Sequence, residues 1–334
     1  MGGVTRTAVI LINLGTPEEP TAPAVRRYLR EFLSDRRVID KPAWMWRPIL
    51  ELAVLPVRPR ASAEKYRLIW TPEGSPLMLY SEAQAAALRE ALGDDVVVEI
   101  AMTYGSPAIA DVLADVTRRG CDRILLVPLY PQYSVSSAGA LLDRALHAAA
   151  ALPHHPEVRA IRAYPDDDGY IHALCSALEA RWAEAGRPDP DAGDRLILSY
   201  HSIPQAMADG GDPYEQECEL TTSLVAERVG LPPEAVLTTY QSKFGMAPWL
   251  GPATIDTVEK LGKQGCRRLD VMCPGFVSDC LETLEEICIL NAETFRDAGG
   301  GEFTYIHWGN DRKEWTDALA GIVRGHLWAD SVAQ

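Results

Sequence analysis

At 334 residues the chain exceeds one ordinary core and predicts two domains. Its 47% hydrophobic and 24% charged residues are those of a globular protein, which excludes a disordered or fibrous chain. A formal net charge of −15 excludes a nucleic-acid surface, which needs a basic patch to release counterions, and leaves cationic ligands attractive.

In chain order, the opening MGGVTRT has no apolar core of a secretory leader. Apolar, β-branched runs at 8–14, 96–102, 124–130, 196–200, 236–240 and 269–273 predict strands. Between them, 81–92, 108–119, 137–151, 168–185, 214–229 and 252–264 carry helical periodicity. Such alternation means parallel sheets covered on both faces. The segment PAWMWRPILELAVLPV, 42–57, holds Arg47 and Glu51 and is broken by Pro48; it is predicted as a core helix, the alternative being an apolar lip near a hydrophobic substrate or membrane surface. GGG at 299–301 stops a helix before a strand FTYIHW. No run of about 18 apolar residues predicts a membrane span. Seven cysteines, an odd number with no leader, argue for a reducing cytoplasm and against a disulfide framework.

Two internal echoes define the organisation. RRGCDRILLVPLYPQYS (118–134) matches KQGCRRLDVMCPGFVSD (263–279) in pattern, and AVILINLGTP (8–17) matches RLILSYHSIP (195–204), in the same order. The predicted fold class is therefore α/β, with two similar Rossmann-like halves, each a parallel sheet flanked by helices. The halves are 1–160 and 161–334, with an active-site cleft between them and the C-terminal helix packing back on the first half. Ligands of open parallel sheets bind beyond the carboxyl ends of the strands. Those ends are Asn13-Leu14-Gly15, Tyr104, Tyr130 to Ser136, His201, Gln241-Ser242-Lys243 and Pro274 to Asp279.

His201 closes the apolar run LILSYH, where a proton acceptor useful near neutral pH would stand; the plain alternative is a histidine satisfied by a backbone carbonyl. In SDCLETLEEICIL, 278–290, an α-helical spacing puts Asp279, Glu282 and Glu286 on one face, with Asp279 and Glu282 also at capping-box spacing. Glu282 and Glu286 form a like-charge pair four apart, which costs a helix about 0.2–0.5 kcal/mol. Such a carboxylate row beside a basic histidine could carry protons outward or a divalent cation inward. The cysteine spacings fit no structural zinc site, and NLGTPEEP fits no phosphate-binding loop.

Taken together, NLGTP (13–17), FLSDRRVID (32–40), EGSPLMLYS (73–81), MTYGSP (102–107), PLYPQYSVSSAGA (128–140), SYHSIP (199–204), QSKFGMAPWL (241–250) and CPGFVSDCLETLEEI (273–287) resemble ferrochelatase across nearly the whole chain. The resemblance implies the chelatase fold and a lyase that inserts Fe2+ into protoporphyrin IX, releasing two protons and giving protohaem, at the end of haem synthesis. It implies His201, Glu282 and Glu286 as catalytic, with His201 and Glu282 meeting the iron in passing and Asp279 beside them. It implies Leu14, Arg58, Ser75, Tyr104, Tyr130, Ser134, Trp249 and Phe276 as substrate-binding.

No resident cofactor is expected, and no [2Fe–2S] cluster, since no cysteine follows Cys288. The expected location is cytoplasmic, with peripheral contact to the cytoplasmic membrane face allowed for, and monomer or homodimer is left open. Two departures stand out: Ser202 where the family usually has glycine, whose added Cβ could crowd the porphyrin, and Thr103 where many relatives carry arginine. Leu14, where coproporphyrin enzymes often place tyrosine, favours protoporphyrin IX. The alternatives are a chelatase for coproporphyrin or cobalt, or a non-catalytic tetrapyrrole-binding protein.

Overall fold

The computed structural model describes residues 6–243, 245 and 247–331. It holds two units: residues up to Ala163 together with those from Leu319 onward, and Tyr164–Ala318. The boundary expected after residue 160 thus falls just short of the one found, and the residues from Leu319 onward, numbered with the second half, cluster with the first. Local chemistry explains the latter. Trp328 lies under the guanidinium groups of Arg123 and Arg159, at 5.5 and 4.3 Å, and its Nε1 donates to Glu157 at 2.6 Å.

The first unit is a four-stranded parallel sheet in the order β2-β1-β3-β4, where β1 is Arg6–Asn13, β2 Val96–Met102, β3 Cys121–Pro128 and β4 Glu157–Ala160. The second repeats that order as β6-β5-β7-β8, with β5 Arg195–His201, β6 Val236–Gln241, β7 Arg268–Met272 and β8 Glu302–Tyr305. The central strands are covered on both faces, so they read as continuous apolar runs; Ala8 to Ile12 are all fully buried. Strand β4 was not foreseen. It has four residues, Glu-Val-Arg-Ala, and lies mostly exposed at the sheet edge, too short and too polar to announce itself.

Register sets the site. In the first sheet Asn13 pairs with Met102 and Ile12 with Pro128, so the loops starting at 14, 103 and 129 leave from one edge. In the second, His201 pairs with Gln241 and Leu198 with Met272, which brings the ends of β5, β6 and β7 together in the same way.

Residues 42–57 are not the core helix expected. The helix Ala43–Ile49 contains Pro48 and buries none of its residues, and a wide turn, Leu50–Val54, follows it. Pro48 lacks an amide donor, so the regular helical ladder fails there. Trp44 is 77% exposed, Leu52 80% and Val57 71%. The segment is fastened from one side, by Trp46 Nε1 to the Leu33 carbonyl at 2.6 Å and by the two-pronged Arg30–Glu51 pair at 2.7 and 3.0 Å.

Candidate active site

In the first unit the loop after β1 and the loop after β2 continue the sheet pairing. The Thr103 and Tyr104 amides donate to the Asn13 and Leu14 carbonyls at 2.8 and 2.9 Å. So close an approach requires Gly15: its φ is +105°, and a Cβ there would lie 1.8 Å from the Tyr104 carbonyl oxygen. Asn13 reaches Ser81 through Nδ2 at 3.0 Å, and its Oδ1 accepts from the Leu14 amide at 2.8 Å, leaving Leu14 half-buried at the strand end.

Tyr104 is not an open-faced tyrosine. It is buried, donates to Asp35 at 3.1 Å, packs edge-on against Phe32 at 5.1 Å and lies under Arg144, 4.6 Å from its ring centre. Burial, seconded by the Asp35 charge, pushes its phenol far above the ordinary value and keeps it protonated. Arg144 also pairs with Asp35 and Glu31, each at 3.1 Å, and Glu31 accepts from the Gly105 amide at 2.9 Å. Nothing local in the sequence marks this Asp35–Glu31–Arg144 group beyond the acid of FLSDRR, Asp35, four residues after the helical Glu31.

Ser75 is buried and shares a hydrogen bond with Thr16 at 2.9 Å. Ser134 is also buried, and its hydroxyl accepts from the Ser136 amide at 3.2 Å to open the wide turn Val135–Gly139. Tyr130 is half-buried against the first unit's core, and Arg58 opens the helix Arg58–Ile69, half-buried.

In the second unit His201 ends β5 half-buried, its Nδ1 2.6 Å from the Ser202 carbonyl. A carbonyl can only accept, so Nδ1 carries a proton and Nε2 is the ring nitrogen left to accept one. Ser202 does not crowd the site. It is buried, its hydroxyl donates to the Leu250 carbonyl at 3.0 Å, and its amide donates to the Gln241 carbonyl at 2.8 Å. Only Ser242 and Asn310 among the described non-glycine residues have positive φ, so position 202 has no need of glycine. Trp249, half-buried on the loop after β6, bridges to Pro204 on the loop after β5; Phe276 is half-buried against the second unit's core.

The acids follow β7. The segment expected as a regular α-helix is a wide helix with i→i+5 hydrogen bonds over Glu282–Asn291. The expected row of three carboxylates is not kept. Asp279 precedes the helix, is buried, and turns away to Thr283, Tyr305, His307 and Asn310; the Cys280 amide donates to Thr283 Oγ1 at 3.0 Å, and no capping box with Glu282 forms.

Glu282 and Glu286 remain, both half-buried and both held by the end of β6. Gln241 Nε2 donates to the Glu282 carbonyl at 2.7 Å, while its Oε1 accepts from Ser199 at 2.8 Å. Ser242, at φ 66°, aims its amide at one oxygen of Glu286, at 2.7 Å, and its hydroxyl at the other. Burial raises the Glu286 pKa above the ordinary carboxylate value; the Ser242 hydrogen bonds and the field of His201 oppose that, and Glu282 adds to it. His201, Glu282 and Glu286 therefore share one electrostatic neighbourhood. Among the described residues no three or more His, Cys, Asp or Glu side chains are arranged to hold a metal ion.

Comparison with known proteins gives consistent relatives. A family model described as ferrochelatase matches residues 6–327. The ferrochelatase of Neisseria gonorrhoeae is 48% identical over 322 residues, 96% of this chain and 94% of the relative, and that of Neisseria meningitidis serogroup C is 47% identical over the same spans. Among solved structures, SirB from Bacillus subtilis with Fe3+ aligns with a TM-score of 0.58 at 13% identity, covering 98% of this chain and 96% of that one. CbiX, the terminal enzyme for siroheme biosynthesis in denitrifying bacteria, aligns with a TM-score of 0.55 at 14% identity, covering 97% and 100%. At such identities these two share the fold alone. The family match runs through both units and through every strand-end motif, and the chain belongs to the ferrochelatase family, enzymes that insert iron into a porphyrin.

Proposed function

We propose that this chain inserts Fe2+ into protoporphyrin IX, forming four iron–nitrogen bonds and releasing the two pyrrole protons, to give protohaem. In this reading Nε2 of His201 accepts a pyrrole proton, since Nδ1 is committed to the Ser202 carbonyl. Glu286, whose proton affinity burial has raised, receives protons from the site, and Glu282 with His201 meets the iron on its way to the macrocycle. Iron is here a substrate, and N and O donors of this kind suit a divalent first-row ion without retaining it.

Leu14, Tyr130, Trp249 and Phe276, half-buried, supply apolar and aromatic contact to the macrocycle, and Arg58 meets a porphyrin carboxylate. Tyr104, Ser75 and Ser134 are buried groups that fix the loops of the first unit. The reaction needs no resident cofactor and no [2Fe–2S] cluster. The observation that carries the reading is an Nδ1-anchored histidine at the end of β5 and, gripped by Ser242 just past the paired end of β6, a carboxylate whose pKa burial raises.

The protein works in the cytoplasm and touches the membrane face through Trp44, Leu52 and Val57, in reach of a hydrophobic porphyrin supply; among the described residues no helix is long and apolar enough to cross a membrane. Anaerobic turnover of purified protein tests the reaction, with loss of porphyrin fluorescence as the signal. Protoporphyrin IX with Fe2+ is expected to outrun coproporphyrin III and to outrun Co2+. Faster turnover of either alternative would replace this substrate assignment, and porphyrin binding without turnover would remove the activity.

A further inference from the structure

Strand β8 ends at Tyr305 and is followed by IHWGND, 306–311, whose first three residues were expected to continue the strand FTYIHW. In the structure four donors from that region and from the wide helix converge on Asp279. Oδ1 accepts from Thr283 at 2.7 Å and Tyr305 at 2.9 Å; Oδ2 accepts from His307 Nδ1 at 2.8 Å and Asn310 Nδ2 at 2.7 Å. Asn310 also takes the Asp279 amide on its Oδ1 at 2.8 Å, from a left-handed backbone with φ 54°.

Of these donors only His307 can bring a positive charge. Its side chain is 56% exposed, so its proton exchanges with solvent, whereas Asp279 is buried. Among the described residues Asp279 is the charged group acting on His307; Tyr305, edge-on at 4.7 Å, is another close ionisable neighbour, and burial holds that phenol protonated. The hydrogen bond and charge of Asp279 raise the His307 pKa. For Asp279, burial pulls upward, but the His307 bond and charge, with Asn310 and Thr283, win and hold it below the ordinary carboxylate value.

The consequence reaches the acids. Thr283 donates to Asp279 and accepts from the Cys280 amide, so the carboxylate, the hydroxyl and the backbone form one staple around the turn that opens into Glu282 and, one wide turn on, Glu286. An ionised Asp279 accepts all four bonds; a protonated one would have to turn one of its oxygens into a donor against groups that donate.

Resting on the iron-insertion reading above, we infer that His307 is a positioning residue for insertion: paired with Asp279, it fixes the turn from which Glu282 and Glu286 project, and loss of that pairing impairs the chemical step rather than substrate binding. Outer groups that orient reacting ligands commonly change rate by about 10- to 100-fold when removed.

The test measures kcat and KM for Fe2+ and protoporphyrin across about pH 6 to 9, in the full chain, for wild type, His307→Ala and His307→Gln. His307→Ala is expected to lower kcat about tenfold with both KM values within about twofold of wild type. His307→Gln, whose amide can donate to Asp279 without carrying charge, is expected to restore most of kcat and to lose the decline with rising pH that wild type shows as His307 gives up its proton. A His307→Ala enzyme with wild-type kcat and pH profile overturns the inference. So does an equal loss in both variants, which would mark a merely structural side chain. An inactive wild type would instead overturn the iron-insertion reading, and this assignment with it.

Discussion

Ser242 shows how much a single strand-end residue can set. Its amide and hydroxyl both point at Glu286, and both favour the ionised carboxylate against the burial that raises the pKa. If Glu286 must be ionised to take a proton from the site, the acid limb of kcat follows its pKa. Ser242→Ala removes one of the two donors, so that pKa rises and the limb moves to higher pH, by about one unit for one charge-assisted hydrogen bond. An unmoved limb would dissociate Glu286 from proton transfer. The sign is opposite at the Asp279–His307 pair. A raised histidine contributes stability that is full below its ordinary 6.5 and is lost as pH climbs through its folded value, and a lowered carboxylate contributes above 3.8 and loses it as pH falls through its folded value. Thermal denaturation should therefore show a stability decline as pH rises from 6.5 through the folded value of His307, a decline that is absent in Asp279→Asn. His201 and Glu282 were legible in the sequence because one ends a strand and the other starts the element after one, and Glu286 because it follows Glu282 by four residues. Gln241 and Ser242, the residues that hold the acids, were visible only as a strand end, since contacts between residues some 40 positions apart leave no local pattern.

At the scale of elements, the strands were readable because buried parallel strands are nearly all apolar, and the turn between them because glycine is required where backbones touch. Gly15 is the sharpest instance. Alanine there meets the Tyr104 carbonyl oxygen and a positive φ together, and Gly15→Ala is expected to cost at least about 2 kcal/mol in chemical denaturation. A loss below 0.5 kcal/mol, roughly the level of an ordinary surface change, would mean that the two loops are not pressed together as described. What the elements concealed was helix type. Period counting assumes about 3.6 residues per turn from Asp279 onward, whereas the wide helix starts only at Glu282, so Asp279 was expected in a row it does not join. The same assumption hid the wide turns Leu50–Val54 and Val135–Gly139. Wide turns recur at functional sites, so their presence beside Ser134 and the acids fits the rest of the geometry.

For the molecule as a whole, the internal echoes in the sequence correspond to two sheets of identical strand order, β2-β1-β3-β4 and β6-β5-β7-β8. Surface character was the less legible half, because an apolar segment reads alike whether it is covered by protein or not. Residues 42–57 read as core, yet only Leu50 and Leu55 are buried, while Trp44, Leu52 and Val57 lie exposed. If that patch meets lipid, vesicles containing anionic lipid should sediment the wild-type protein, and the Trp44→Ser, Leu52→Ser double variant should remain in the supernatant with unchanged turnover of soluble porphyrin; equal sedimentation of the two would remove the membrane contact. The central claim is that a histidine whose Nδ1 is tied to a carbonyl takes the porphyrin proton. Anaerobic kcat for Fe2+ insertion in His201→Ala measures it directly. The account predicts a loss of at least about 100-fold with porphyrin affinity retained, whereas a variant within about threefold of wild type would show that the proton leaves by another group.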